Sequence, residues 1–440
     1  MNIVDDNEPT IGRRLREVRY WRRKSQRAVA ELAGLSESYL SRLERGERPL
    51  DRRSTLEALA AALDVAPGEL TGSHELIAGE GMGEVHAVVV ALRVALADNS
   101  LDDPADDATR PWPELAADLH RVNSDLRPRA DYAALGLVLP DLIADLHATA
   151  AADPDHRRAA LVGLLDVYTA AVAALKHLGE ADLAAVAAMH ARAVAAEVGS
   201  PAYTALTEWL RALTVSSPAR ERSLTRAVRA AERVQPVVGS DGAAAEMYGM
   251  LHLMCALNAA VLHRYGESAD HEAEAADVAA RVGAGANFGH QCFGVPNYGF
   301  WRVTLAVERG EGGKVAEIAR DVDPTAVPSA SRRAGFYADL GRGEATERGR
   351  WRESVAALLT AERLASQRVR ANPAVRETVT YLLRRMRRDA GVANCAASPT
   401  AWVSGWADRV CLPDSTFSGS RFPAPLRRGP RSAARAPRRA

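Results

Sequence analysis

The apolar and polar positions along the chain follow a helical period almost everywhere. Between residues 11 and 70, and again from Trp112 to about Ala390, apolar side chains recur every three or four residues in stretches that break at Gly, Pro or Ser. This spacing puts the apolar side chains on one face of an amphipathic helix. The pattern therefore predicts an all-α protein, with short helices at the start and helices of about 12–18 residues further along.

Residues 26–46 predict two short helices joined by a tight turn. Val29, Leu32 and Ala33 form the apolar face that we expect the first of these helices to bury. Gly34 follows directly, and glycine is the residue that turns the chain into a left-handed conformation without a Cβ penalty. The first helix is therefore expected to end at Gly34.

The second of these helices is predicted to begin at Ser36, a residue type that caps helix N-termini well. Tyr39, Leu40 and Leu43 then point inward at helical spacing, which leaves a polar outer face. The predicted outward residues are Glu37, Ser38, Ser41, Arg42 and Arg45. A helix-turn-helix with a polar, arginine-bearing second helix has the shape that enters a DNA major groove.

Residues 11–70 resemble the phage-repressor/Cro type of helix-turn-helix, known as the XRE family. The residues that carry the resemblance open the second helix, shape the turn, cap the third helix and close it. They are Gln26, Ala30, Gly34, Ser36 and residues 43–46, followed by residues 55–63 and 65–70 as fourth and fifth helices. The resemblance implies a domain of five helices.

The resemblance also implies roles for individual residues. Gln26 stands where the family's glutamine contacts a phosphate and braces the recognition helix, and Glu37, Ser38 and Arg42 stand at base-facing positions. Glu37 and Ser38 occupy positions where phage members often use glutamine, so the operator sequence does not carry over. A glutamate can accept from a cytosine amino group, and Arg42 can bridge a guanine. The DNA-binding residues predicted in total are Gln26, Arg27, Ser36, Glu37, Ser38, Ser41, Arg42, Arg45 and Arg48.

Glycine-centred helix breaks recur in the second part of the chain. They stand at Leu178, Tyr265, Arg309 and Arg348, at intervals of 87, 44 and 39 residues. The intervals predict a loose tetratricopeptide-like pattern, in which stacked helix pairs share one core and form a concave groove. Three segments resemble the longer XRE regulators of actinomycete-like bacteria, which carry such an array: residues 132–140, 293–297 and 364–385.

One stretch of this array is rich in aromatic and polar residues. Its members are Phe288, His290, Phe293, Asn297, Tyr298 and Trp301. They are candidates for an effector or partner groove, and the alternative is that they fill the core between repeats. His290 and Cys292 have no second cluster with metal-ligand spacing, so no metal site is predicted. The four cysteines are widely spaced, which favours free thiols in a reducing compartment.

The formal net charge of zero hides a division of charge along the chain. Residues 11–53 hold thirteen Arg and Lys against six Asp and Glu, and residues 421–440 hold seven arginines and no acid. The N-terminal ten residues carry three acids, so residues 54–420 have a net charge of −11. A basic N-terminal segment followed by an acidic remainder is expected for a DNA-binding domain fused to a second domain that does not bind DNA.

These patterns predict an all-α architecture with an N-terminal five-helix helix-turn-helix domain and a tetratricopeptide-like helical repeat array. The predicted divisions are a disordered leader (1–10), the helix-turn-helix domain (11–72), a hinge and linker with one helix (73–111), the helical domain (112–391) and a disordered Arg/Pro-rich tail (392–440). We expect no signal peptide, no membrane span and a cytoplasmic location.

The favoured interpretation is a sequence-specific DNA-binding transcriptional regulator. A homodimer would bind a double-stranded DNA operator, and the helical groove would bind a peptide, a small molecule or a protein as effector. The alternative is a helical-repeat scaffold or anti-activator that acts through protein contacts with weak DNA binding. No cofactor and no catalytic residue are predicted, because no nucleophile or metal constellation appears between residues 75 and 390.

Overall fold

A computed structural model of the chain describes residues 10–72, 83–103, 110–215, 219–283 and 285–389. All regular secondary structure in these ranges is helical, which confirms the predicted all-α class. Nearly all of the predicted leader, the residues 73–82 of the predicted hinge and the predicted tail lie outside the described residues.

Five short helices form the N-terminal domain, as the family resemblance implies. They are α1 (Ile11–Trp21), α2 (Gln26–Leu32), α3 (Glu37–Glu44), α4 (Arg53–Leu63) and α5 (Pro67–Thr71). Leu15, Val29, Leu40, Leu59 and Leu70 lie at the centre of one small core that is separate from the core of the remaining chain. This domain therefore buries its own apolar faces.

Sixteen further helices follow in the described part of the chain. The first group is α6 (Gly83–Asp98), α7 (Trp112–Arg121), α8 (Arg127–Arg129), α9 (Tyr132–Ala152), α10 (Arg157–His177), α11 (Ala181–Val198), α12 (Pro201–Leu213) and α13 (Arg220–Val234). The second group is α14 (Gly242–Val261), α15 (Tyr265–Val282), α16 (Val295–Glu308), α17 (Gly312–Arg320), α18 (Ala330–Thr346), α19 (Trp351–Leu364), α20 (Ser366–Ala371) and α21 (Pro373–Asp389).

Neighbouring helices of this second domain pack against each other, most extensively α9 with α10, α10 with α11, α14 with α15, and α18 with α19. A large core runs from α6 to α21 and a smaller one lies between α16, α17, α18 and α19, so the stacking predicted from the glycine-centred breaks is observed. Small residues lie at the close contacts, and Ala184, Ala191, Ser354 and Ala361 are all buried. One break is displaced, because Tyr265 is already the first residue of α15.

The helix that the sequence places in a linker belongs to the helical domain instead. Val88 and Leu92 of α6 lie in the same core as α9. Gly136 of α9 allows α6 and α9 to pack closely. A Cβ atom at this position would lie only 2.3 Å from a methyl group of Val88. The glycine-rich segment before α6 and the Asp/Pro-rich loop after it suggested a linker, but they flank a helix that packs into the core.

Two helices of this domain are long and apolar enough to cross a bilayer by length and composition. They are Tyr132–Ala152 and Arg157–His177, and 56% and 72% of their most apolar windows are buried inside the protein. Length and composition alone do not distinguish a membrane span from the buried helix of a protein core. The burial of these two helices is that of core helices, whose apolar faces are covered by neighbouring helices.

The two domains are joined by a buried carboxylate. Glu308 at the end of α16 is fully buried and accepts from the backbone N–H of Arg53 at 2.9 Å and from its guanidinium at 2.7 Å. Arg342 of α18 lies 3.5 Å from the same carboxylate and donates to the backbone carbonyl of Asp51. The start of α4 is thereby bonded to two helices of the second domain.

Further contacts lie on both sides of this ion network. Arg220 of α13 donates to the carboxylate of Glu57 and to Asn258. At the opposite edge, the carboxylate of Glu377 accepts from the backbone N–H of Ile11 at 3.2 Å. The helix-turn-helix domain is therefore held on the helical domain by polar contacts, and its own apolar core remains separate.

We predict that Glu308→Gln loosens this junction without unfolding either core. The neutral amide cannot pair with two guanidinium groups, so the charge-assisted bonds to Arg53 are weakened. Hydrogen exchange of the Arg53 amide should accelerate by about tenfold or more, since each factor of ten corresponds to about 1.4 kcal/mol. Glu311→Gln is the control, because the Glu311 side chain contacts only the exposed Lys314. Equal exchange in both variants would contradict the assignment.

Candidate nucleic-acid interface

Helices α2 and α3 form the predicted helix-turn-helix. The hydroxyl of Ser25 accepts from the Ala28 N–H at 3.1 Å and begins α2, and the hydroxyl of Ser36 accepts from the Tyr39 N–H at 3.2 Å and begins α3. Gly34 between them has a φ of +66°, the left-handed conformation expected from its sequence position. The predicted turn and the predicted cap are thus confirmed.

The inner faces of these helices match the prediction with one exception. Val29, Leu40 and Leu43 are buried, and Ala33 packs against them. Leu32 is 64% exposed, so its assignment to the buried face was wrong. At about 100° per residue, Leu32 lies about 60° from Val29 on the side away from Ala30 and Ala33, which places it toward solvent.

A buried ion pair behind the recognition helix fixes how α1, α2 and α3 pack. The guanidinium of Arg19 donates to both carboxylate oxygens of Glu44, at 2.6 and 2.8 Å, and both side chains are almost fully buried. Gln26 donates its amide to the same carboxylate at 2.7 Å. The bracing role that the resemblance implies for Gln26 therefore acts through Glu44.

Sequence reasoning missed this pair, which buries an arginine of α1. The signal was present, because Arg19 lies four residues after Leu15 and eight after Ile11, on the inward stripe of α1. Glu44 likewise follows Leu40 by four residues. A charged residue on the apolar stripe of one helix indicates a buried ion pair when a residue of opposite charge lies on the apolar stripe of a helix that packs against it.

The predicted DNA-binding residues form one surface on and around α3. Glu37 and Ser38 are exposed on α3 and Arg45 is exposed directly after it, whereas Ser41 and Arg42 are half-buried. Outside the helix, Ser36, Arg27 and Arg48 are exposed and Gln26 is half-buried. This surface brings basic and hydroxyl-bearing side chains together on one face of the domain.

Local bonds order the side chains of this surface. Arg42 donates from Nε to the backbone carbonyl of Ser38 at 3.3 Å, and the hydroxyls of Ser36 and Ser38 lie 3.3 Å apart. Arg45 pairs with Glu47 at 2.9 Å on the exposed side. These are weak, solvent-accessible contacts that a phosphate or a base edge can replace at little cost.

Part of the surface faces the helical domain across a cleft of about 400 Å³. Arg42 and Arg48 line one wall with Tyr39, and Gly310 and Glu347 belong to the opposite wall. The N-terminal end of α3 is thus open, whereas its arginine-bearing end lies beside the second domain. Sequence patterns could not show this, because the cleft depends on how the two domains are joined.

The predicted groove residues divide into a core group and a cavity group. Phe293 is only 1% exposed and occupies space beside Gly249, where a Cβ would clash with its ring, so its assignment to a groove was wrong. Phe288 packs against Tyr203 with the two rings tilted and their centroids 4.9 Å apart, and Tyr298 packs on the main core. His290, Asn297 and Trp301 line a cavity of about 240 Å³ inside the helical domain.

No group of three or more His, Cys, Asp or Glu side chains suited to a metal ion occurs in the part of the chain that the structure describes. His290 lies 3.5 Å from the carboxylate of Asp166, and the Cys292 thiol donates to the Asn287 side chain at 3.3 Å. These two residues are therefore held by local partners.

We predict that Glu44→Ala destabilises the packing of α3. The substitution leaves Arg19 buried without its carboxylate, and breaking a buried pair in this way costs about 3–5 kcal/mol. In the full chain, the backbone amides of α3 should therefore exchange hydrogen faster in this variant than in the natural protein. The control Glu47→Ala removes only an exposed pair worth about 0–1 kcal/mol. Similar protection of α3 in both variants would rule out the bracing role.

Comparisons with known proteins agree with this geometry. A family model described as a helix-turn-helix domain matches residues 10–71. An immunity repressor protein of Bacillus phage phi105 is 41% identical over 71 residues, which is 16% of this chain and 49% of that repressor. The chain thus matches about half the length of this curated relative. Neither the matched domain family nor the matched repressor is an enzyme, as the sequence analysis expects.

A solved structure of ComR from S. thermophilus, in complex with DNA and its signalling peptide ComS, aligns with 80% of this chain and 99% of that chain. The sequence identity is 12% and the TM-score is 0.21, which is too low to support an inference about this chain. The repressor match and the family model both fall on the five N-terminal helices. The N-terminal domain therefore matches the helix-turn-helix domain family, and an all-helical domain follows it in the chain.

Proposed function

We propose that this protein is a sequence-specific DNA-binding transcriptional regulator, whose helical domain senses an effector or partner and mediates oligomerisation. The observation that carries the proposal is the geometry of α2 and α3, where Gly34 and Ser36 set the turn and Glu44 fixes the recognition helix from behind. This arrangement leaves a polar outer face that fits a major groove.

The base-reading role is assigned to the outer face of α3. Glu37, Ser38, Ser41 and Arg42 are the side chains that reach base edges when α3 lies in the groove. A carboxylate accepts a hydrogen bond from the amino group of cytosine, and a guanidinium donates hydrogen bonds to guanine. Glu37 can therefore read a cytosine and Arg42 a guanine. Ser38 and Ser41 are adaptable donors and acceptors.

Phosphate contacts are assigned to the flanks of the same face. Arg27, Arg45 and Arg48 are exposed cations, and Ser36 lies at the N-terminus of α3, where the helix dipole favours an anion. Gln26 donates one hydrogen of its side-chain amide to Glu44, and the second amide hydrogen can donate to a phosphate oxygen. The excess of seven positive charges in residues 11–53 supplies the nonspecific part of the affinity.

The cleft implies that DNA binding and the closed arrangement of the domains compete. A duplex needs the face that carries Arg42 and Arg48, and both residues border the helical domain here. Opening the cleft requires the bonds that Glu308 makes to Arg53 to break or rearrange. We infer that ligands of the helical domain act on DNA binding through this junction.

We further propose that the protein acts as a homodimer in the cytoplasm. Two recognition helices about one helical turn apart would read a pseudo-palindromic operator, as dimeric helix-turn-helix proteins do. Exposed apolar side chains of the helical domain, among them Val94 and Leu137, can form the contacts between the two copies of the dimer.

The direct test is selection from a pool of random duplexes by the purified full-length protein at near-physiological salt. We expect enrichment of a roughly palindromic motif. Arg42→Ala should weaken binding to that motif by about 1–3 kcal/mol while leaving nonspecific binding nearly unchanged. Arg121→Ala, which removes an exposed arginine of α7 far along the chain, is the matched control.

Salt-sensitive bulk binding without an enriched motif would overturn the proposal and favour the scaffold that acts through protein contacts. An equal loss of specific and nonspecific affinity in Arg42→Ala would remove the base-reading role from Arg42 alone.

A further inference from the structure

The helical domain forms most of the wall of a partly open cavity of about 240 Å³, with residues from α8 to α10, α12, α14, α16, α18 and α20. Its size is below the range of about 300–1,000 Å³ that is typical for drug-sized ligands, so it suits a small molecule. Trp209, Phe300, Trp301 and Phe336 form much of its apolar wall. An apolar wall with a few convergent polar groups is the usual composition of a ligand site.

Four cations converge on this cavity without a carboxylate partner. Arg127, Lys176, Arg332 and Arg368 all line it, and within the described ranges none of them forms a direct ion pair. The nearest carboxylate to act on Arg127 is that of Asp166, which favours its charged form through space. Asp339 is the one carboxylate among the described lining residues. It is already engaged by other groups: Arg342 donates to it at 2.6 Å and Thr304 donates to it at 2.7 Å.

The bonds that these cations do make are to neutral acceptors. Arg332 donates to the side-chain oxygen of Gln291. Arg368 donates to the backbone carbonyl and the hydroxyl of Ser331, at 2.5 and 2.8 Å. Lys176 has no hydrogen-bond partner among the described residues. None of these acceptors neutralises a charge.

Several polar atoms at the cavity are buried and unpartnered. Arg127 donates from Nη2 to the Gly289 carbonyl at 3.1 Å, while its Nη1 is buried without a partner. The indole N–H of Trp209 and the Oδ1 atom of Asn123 are also buried and unpartnered. The two buried donors without acceptors, Arg127 Nη1 and Trp209 Nε1, are costly, and an acceptor group bound in the cavity would satisfy them.

Burial also opposes the charge of these cations. Desolvation lowers the pKa of Lys176 to about 7 and the pKa of Arg127 and of Arg332 to about 10. A protein that gathers cations in a low-dielectric cavity bears this cost unless an anion is bound there.

We propose that this cavity is a binding site for a small molecule with two or more anionic oxygen groups, phosphate or carboxylate, attached to a flat or apolar body. Arg127, Arg332, Arg368 and Lys176 bind the anionic groups, and the aromatic wall covers the body. Guanidinium groups bind planar carboxylates and phosphates in bidentate fashion, which suits three arginines around one small space.

The cavity also touches the N-terminal domain. Arg53, the first residue of α4, lines it while bonding to Glu308. A bound anion would compete with Glu308 for this guanidinium. The consequence for DNA binding rests on the proposed function, whereas the binding of the anion does not.

The test is calorimetric titration of the full-length protein, without DNA, in phosphate-free chloride buffer, with pyrophosphate and with citrate as separate probes. We expect saturable binding of at least one probe at a single site. Binding of pyrophosphate alone would assign the phosphate class, and binding of citrate alone would assign the carboxylate class. Either result supports the site.

Arg127→Gln and Arg332→Gln should each weaken the probe by about tenfold or more, because each removes a charge-assisted donor. The exposed control Arg121→Gln should bind as the natural protein does. Without ligand, the thermal midpoint of Arg127→Gln should be no lower than that of the natural chain, since an unpaired cation has been removed. If one variant fails to fold, the other carries the same test.

Absence of saturable binding of both probes at millimolar concentration would overturn the proposal, as would equal affinity in the natural chain and in a folded Arg127→Gln or Arg332→Gln variant. Because no DNA is present, these results are independent of the duplex selection that tests the proposed function.

Discussion

The arrangement of the whole molecule depends on the carboxylate of Glu308. It is buried at the end of α16 and holds both the backbone and the guanidinium of Arg53, while Arg342 lies behind it and bonds to the carbonyl of Asp51. A buried carboxylate is tolerated only where several donors surround it. The first turn of α4 supplies some of those donors, so this charge holds the N-terminal domain in position together with the contacts that Arg220 and Glu377 make.

Glu308 connects two surfaces that would otherwise be unrelated. On one side of the junction lies the cleft lined by Arg42 and Arg48, and on the other lies the cationic cavity, which Arg53 itself helps to line. Arg53 has two acceptors available to it if an anion enters the cavity. Under the two proposals, competing partners for this one guanidinium would shift the balance between closed and open arrangements of the domains.

Local rules predicted the turn and the caps of the helix-turn-helix. Gly34 had to take a left-handed conformation and Ser36 had to accept from a backbone N–H, because each requirement is met within a few residues. The helical class and the stacking of helices after Trp112 followed from periodicity in the same way. Leu32 was misplaced because it lies about 60° from Val29 around the helix, on the side away from Ala30 and Ala33.

What sequence reasoning missed depends on contacts between distant segments. Arg19 and Glu44 lie 25 residues apart, and Arg53 and Glu308 lie 255 apart. No local pattern pairs such residues, although each charge stands on an otherwise apolar stripe. The cavity was missed for the same reason. The aromatic stretch at residues 288–301 pointed to its wall, but its cations come from α8, α10, α18 and α20 and meet only in the folded domain.

The most direct test of this account is the affinity of full-length Glu308→Gln for a duplex selected by the natural protein. The account predicts tighter binding than that of the natural chain and of the Glu311→Gln control, because the variant opens the cleft more easily. Unchanged affinity, with hydrogen exchange showing that the Glu308→Gln junction has loosened, would contradict the claim that this carboxylate controls access to the recognition helix.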